Sequence, residues 1–106
     1  MPTSGYMQVD SDTIASPGTG EAILRGAGAV LLAIDMVMAG EAKNVFCAVR
    51  PPGHHATPER AMGFCFFNNV AVGAQYARAK HGLRRIAVVD FDVHHGNGTQ
   101  DAFSFN

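Results

Sequence analysis

Asp90-Phe91-Asp92-Val93-His94 is the densest run of chemically capable side chains in this 106-residue sequence. Alternate side chains of an extended backbone share one side. If a strand over Ile86–Val89 continues through this segment, Asp90, Asp92 and His94 project together while Phe91 and Val93 pack away. Carboxylate oxygens and imidazole nitrogens are ligands that zinc accepts. Acids at the end of an apolar strand also need compensation, which favours a metal site over a solvated strand end. A second cluster, His54-His55, follows the stiff turn Pro51-Pro52-Gly53. Imidazole titrates near neutral pH, so adjacent histidines suit proton transfer, and the plain alternative is a surface pair without a role. No Ser or Cys sits in an elbow-like turn, so nucleophilic catalysis is disfavoured. The glycines lack the Lys-Ser/Thr that follows a phosphate-binding loop. Aromatics in Gly63–Phe67 read more readily as core than as substrate wall, and Gly96-Asn97-Gly98 as a plain turn.

The elements that must position these groups follow from periodicity. Residues 1–16 read as loop. Ser16-Pro17 reads as a helix start, with a hydroxyl cap and a proline where no donor is needed. From about Thr19 to Met38, Ile23, Ala27, Val30, Ile34 and Val37 recur three or four apart on one helical face, with Gly40 as the stop. Val45–Val49 reads as a strand buried on both faces, ended by Arg50-Pro51-Pro52-Gly53. A loop over 54–68 leads to a second helix, capped by Asn68 or Asn69, running to about Lys80 with Val70, Ala74 and Ala77 inward, and closed by His81-Gly82. Ile86–Val89 is the second apolar strand. Helix, strand, helix, strand implies an α/β layer with a mostly parallel sheet, whose ligands gather at the carboxyl ends of strands. Both polar clusters follow a strand directly, which places them at one sheet edge. Two strands and two helices cannot cover both faces of such a sheet, so residues 1–106 are expected to be the middle portion of a larger domain.

Composition narrows the function classes. The chain is 47% hydrophobic and 16% charged, which suits a packed domain, and its net charge of −1 gives no field toward nucleic acid or anionic membrane. Cys47 and Cys65 each lie in an apolar run, away from any second cysteine at zinc spacing, so both read as reduced, packed thiols. The N-terminus lacks a signal pattern, and no apolar run reaches membrane-spanning length. A cytoplasmic location is expected, with a nuclear one open if the source is eukaryotic.

Taken together, five segments resemble the histone deacetylase and acetylpolyamine amidohydrolase family. They are Asp10-x-Asp12-Thr13, Ser16-Pro17-Gly18-Thr19, Arg50 to Ala56, Gly63 to Asn69, and Val89 to Gln100, in family order. Asn97 stands where class I members carry Asp, which is closer to the class II and bacterial branch. The resemblance implies an arginase-like α/β fold of three αβα layers and zinc-dependent hydrolysis of an acetyl amide, on acetylated protein lysine or a small acetylated amine.

Carried over by position, the resemblance makes Asp92 and His94 two of three zinc ligands. It makes His55 the general base and His54 its electrostatic neighbour. Asp90 then orients His54, and Asn97 orients His55. Asp90 also falls where many relatives hold a structural potassium ion, and Gly63 and Phe64 where they line the channel for the acyl-lysine stem. His95 is read as structural support. The family's third zinc ligand and its Tyr or His for the oxyanion are not among these residues. The 106 residues alone are therefore expected to be inactive, with the activity belonging to a longer chain. The competing readings are a catalytically silent binding or scaffold module, which those missing groups would distinguish, and a phosphoester hydrolase, which would need a more acidic two-metal cluster.

Overall fold

The computed structural model describes residues 1–104. The elements in chain order are β1 (Met7–Asp10), β2 (Thr13–Ala15), α1 (Thr19–Met38), α2 (Asn69–His81) and α3 (Asn97–Phe103).

The N-terminal stretch expected as loop is an antiparallel hairpin, pairing Met7 with Ala15, Gln8 with Ile14 and Asp10 with Thr13. Its inward positions are Thr13 and Ala15, both fully buried, while Ile14 is 58% exposed. A polar and a small residue face inward and the large apolar one faces out, which inverts the pattern by which a half-buried strand is recognised.

Helix α1 starts at Thr19, with Gly18 in the cap position and no side-chain cap. The expected cap, Ser16, closes a turn instead. Its backbone N–H donates to Thr19 Oγ1 at 2.8 Å, and the Thr19 N–H donates back to its carbonyl at 3.0 Å. Helix α2 begins as its sequence indicates, with the Asn68 side chain accepting the Ala71 N–H at 3.2 Å. It ends at Gly82, whose left-handed φ of 66° lets its N–H reach the Arg78 carbonyl at 3.1 Å.

The two helices pack through Ile23, Gly26 and Ala27 of α1 and Ala71, Gly73, Ala74 and Ala77 of α2. Small residues let them approach closely: a Cβ on Gly73 would sit 2.6 Å from Val30 Cγ1. The expected inward face of α1 holds at Ile23 and Ala27, whereas Val37 is 39% exposed. On α2, Val70 turns out of the helix contact, and Ala71 and Gly73 take its place.

A polar latch ties the far ends of α1 and α2 together. The Asp35 carboxylate accepts from the Tyr76 hydroxyl at 2.8–2.9 Å, from His81 Nε2 at 2.8 Å and from Lys80 Nζ at 3.3 Å. The bonds from His81 and then Tyr76 hold the Asp35 carboxyl below its ordinary value of 3.8, against the opposing effect of desolvation. A depressed folded-state value means the latch stabilises fully above the ordinary carboxylate value and loses its contribution as pH falls through the lowered one. Tyr76→Phe should therefore lower the melting temperature at neutral pH, with the deficit shrinking as the pH falls below the ordinary carboxylate value. Melts followed by circular dichroism check this. A deficit independent of pH, or none at neutral pH, contradicts it.

The two apolar runs depart from expectation. Among the described residues the only sheet is the β1–β2 hairpin, and neither Val45–Val49 nor Ile86–Val89 forms a ladder. The runs do not pair with each other as neighbouring strands, and no parallel sheet forms within these residues. Strand hydrogen bonds are made to other strands, and none adjoins either run here. Both runs lie along α1 and α2 across an open cleft of about 400 Å³, bordered by Ile34, Cys47, Val70, Gly73, Ile86 and Val88. Their other side is bare, with Phe46 90% and Val89 84% exposed. No helix among the described residues is long and apolar enough to cross a membrane.

Candidate active site

The turn after Val49 and the turn after Val89 meet. A cis Arg50–Pro51 peptide opens the first, and the Ala56 N–H closes it on the Gly53 carbonyl at 3.1 Å. The second leads into α3, whose start rests on the first: the Gly98 N–H donates to the His54 carbonyl at 2.9 Å. A Cβ on Gly98 would lie on the Ala56 carbonyl, 2.6 Å from its carbon. Gly96-Asn97-Gly98, expected as a plain turn, is thus a helix start that has to be narrow.

Each histidine of the pair gains an orienting partner across this junction. His54 Nδ1 lies 2.7 Å from Asp90 Oδ2, and His55 Nδ1 lies 2.7 Å from Asn97 Oδ1. The rings are stacked obliquely, 4.2 Å between centroids. Asn97 also settles which His55 nitrogen bears hydrogen. Its Nδ2 donates to the His55 carbonyl at 3.3 Å, and a carbonyl can only accept. The amide oxygen is then the atom facing the ring, so Nδ1 is the donor and, in a neutral ring, the lone pair lies on Nε2. Asp90 is ionised by the same logic of contact. The His54 bond, followed by the Asp92 N–H, holds its carboxyl below the ordinary 3.8.

Asp90, Asp92 and His94 lie around the histidine pair but do not make one three-membered ligand group. Asp92 N–H donates to Asp90 Oδ1 at 3.1 Å and His94 N–H to Asp92 Oδ2 at 2.8 Å. These bonds from residue i+2 are Asx-type, and the chain bends at Val93-His94. Asp90 is spent on His54. Among the described residues no three His, Cys, Asp or Glu side chains are grouped to hold a metal. What remains is a pair, with Asp92 Oδ2 3.6 Å from His94 Nδ1 and 3.8 Å from His54 Nε2. Two ligands about 2.0–2.1 Å from a tetrahedral zinc ion lie about 3.4 Å apart, so oxygen and imidazole donors at this spacing fit two corners of a zinc site. His94 is 75% exposed and its ring centroid lies 6.0 Å from that of His55, which keeps this pair open to an incoming ligand beside the histidines.

Gly63 borders His55, and Phe64 follows it in the same turn. Met62 and Cys65 exchange backbone hydrogen bonds at 2.9 and 3.0 Å, closing a tight turn in which Gly63 has φ 57° and Phe64 φ 68°. The turn brings Gly63 against the His55 ring, where a Cβ would lie 2.7 Å from Cγ. Phe64 is 62% exposed, while Cys65 is fully buried and burial pushes its thiol up. His95 bonds Gln100 at 2.6 Å on the outer side of α3. Sequence reasoning treated Asn68 only as a cap. It also donates to Thr99 Oγ1 at 3.1 Å and the Ala56 carbonyl at 3.4 Å, joining α2, α3 and the histidine turn. Thr13 and Gly98 stand in the family-like segments, but their roles depend on partners far away in the chain.

The histone deacetylase domain family model matches residues 2–106. The chain is 50% identical over 97 residues to a histone deacetylase-like amidohydrolase of Pseudomonas aeruginosa, covering 92% of this chain and 26% of that protein. It is 52% identical over 100 residues to histone deacetylase 9 of Homo sapiens, covering 93% and 10%. The crystal structure of the HDA15 HD domain superposes with a TM-score of 0.91 at 46% identity, over 95% of this chain and 28% of that one. The chain thus spans about a quarter of the bacterial relative and of the solved domain. From the match along its whole length and the shared backbone course, the chain belongs to the histone deacetylase family.

Proposed function

We propose that these residues form the proton-handling part of a zinc-dependent deacetylase whose activity resides in a longer chain. The carrying observation is the pair of oriented imidazoles, His54 with Asp90 and His55 with Asn97, next to Asp92 and His94. The unpaired apolar runs become strands of the parallel sheet in the complete three-layer αβα domain, and the third zinc ligand and oxyanion donor come from that added chain. A zinc ion held there supplies a Lewis acid for the amide carbonyl and its water. A structural potassium ion near Asp90 belongs to the same proposal.

The chain's own groups do the rest. His55 Nε2 takes the proton of the attacking water, because Nδ1 is occupied by Asn97. The C–N bond then breaks and the amine leaves with a proton from the histidine pair, giving acetate and free amine. The ionised Asp90 keeps negative charge behind His54, and Asn97 keeps the His55 ring aimed without adding charge. Phe64 and Gly63 form a wall for the stem that carries the acetyl group. The substrate is an acetylated protein lysine or a small acetylated amine.

The zinc-loaded, full-length protein should release acetate from an acetyl-lysine peptide or an acetylated diamine. Chelation should stop release and added zinc restore it. No acetate from either substrate would sink the enzyme reading and favour a silent binding module.

A further inference from the structure

Phe64 poses a structural problem that the hairpin solves. A non-glycine residue with φ 68° is held in a sparsely populated backbone region, which persists only where the surroundings impose it. With Gly63 also left-handed, the turn Met62–Cys65 uses its own hydrogen bonds between its ends, and the Phe64 N–H points elsewhere. It points at Thr13, 51 residues away in sequence, donating to Thr13 Oγ1 at 3.0 Å. The Thr13 hydroxyl in turn donates to Asp12 Oδ1 at 3.1 Å, so its hydrogen is directed away and its lone pair toward Phe64. Thr13 is fully buried. A second tie, Arg60 Nη2 to Asp10 Oδ1 at 2.7 Å, holds the loop before this turn on β1.

We propose that Thr13 is a positioning residue for the substrate channel, acting through the Phe64 backbone, with Asp12 orienting its hydroxyl. The N-terminal hairpin is thereby a brace for the channel wall. This rests on the reading of Phe64 as a wall for the acyl-bearing stem. A stem wall binds substrate and transition state alike, so misplacing it raises KM more than it lowers kcat.

The test uses the zinc-loaded, full-length protein with Thr13→Val, Thr13→Ser and Asp12→Ala. Valine keeps the shape and removes the acceptor; serine keeps the acceptor. Thr13→Val should lose hydrogen-exchange protection at the Phe64 amide and raise KM for an acetyl-lysine peptide about tenfold, the effect of one lost buried hydrogen bond, with kcat nearly unchanged. Thr13→Ser should restore both readouts. Asp12→Ala, at an exposed position, should raise KM in the same direction by about two- to threefold, and it decides the matter if the valine variant does not fold. A protected Phe64 amide in Thr13→Val, an unchanged KM in that variant, or a serine variant as impaired as the valine one overturns the proposal. An unchanged KM in Asp12→Ala does so when the valine variant cannot be studied. Failure of the wild type to release acetate is a different result: it removes the deacetylase reading, while amide exchange still reports whether Thr13 holds Phe64.

Discussion

His55→Ala in the zinc-loaded, full-length protein is expected to cut acetate release by about 10²- to 10⁴-fold, the range that a positioned general base contributes. Asn97 holds His55 Nδ1 at 2.7 Å and is itself fixed by the His55 carbonyl, so the ring is oriented and its neutral form carries the lone pair on Nε2. Gly63 packs against the ring, and the His54 ring lies 4.2 Å away between centroids. Alanine removes the proton acceptor and leaves Asn97 Oδ1 without its donor. Its effect belongs in kcat, since a group that acts only as the proton moves stabilises the transition state and not the bound substrate. Steady-state acetate release against substrate concentration reads this directly. Turnover equal to wild type would refute the role of His55 and, with it, the assignment of the site.

A glycine outside the chemistry should be nearly as sensitive. Gly98→Ala puts a methyl group onto the Ala56 carbonyl and 2.8 Å from the His55 carbonyl carbon. Those are backbone atoms of a turn closed by its own hydrogen bonds, so they cannot rotate aside as a side-chain tip would. Overpacking commonly costs about 1–3 kcal/mol, and a clash with backbone belongs at or above the upper end. The only relief is for α3 to lift, which breaks the bond from the Gly98 N–H to the His54 carbonyl and carries Asn97 away from His55. Loss of stability in denaturant should therefore come with loss of acetate release. Gly28→Ala is the control: nothing lies within 4 Å of its Cβ position in α1, and it should be neutral or stabilise by about 0.5–1 kcal/mol. A Gly98→Ala protein as stable and active as wild type would show that the tight stacking of α3 on the histidine turn is not what aligns the site.

Particular elements show what could be read in advance. The span of α1 and the cap and stop of α2 were legible because Asn68, Gly82 and the spacing of Ile23 and Ala27 act over a few residues. The hairpin was not, since Thr13 and Ala15 carry no apolar alternation and are buried by distant partners. The runs Val45–Val49 and Ile86–Val89 have strand composition, but a ladder requires neighbours, and none among the described residues supplies one. At Asp90, Asp92 and His94 a local feature invisible to alternation shapes the segment. Asp carboxylates can bond the backbone two residues on, and here they do so twice in succession.

The order of residues alone therefore determined the family, the helices and the residue types available for proton transfer and for a zinc ion, because these depend on local spacing and side-chain chemistry. Only the tertiary structure decided the pairing of His54 with Asp90 and His55 with Asn97, and the hydrogen bond from Phe64 to Thr13. Those contacts span 36 to 51 residues of sequence. Such distances are bridged by packing and backbone approach, which no local pattern encodes.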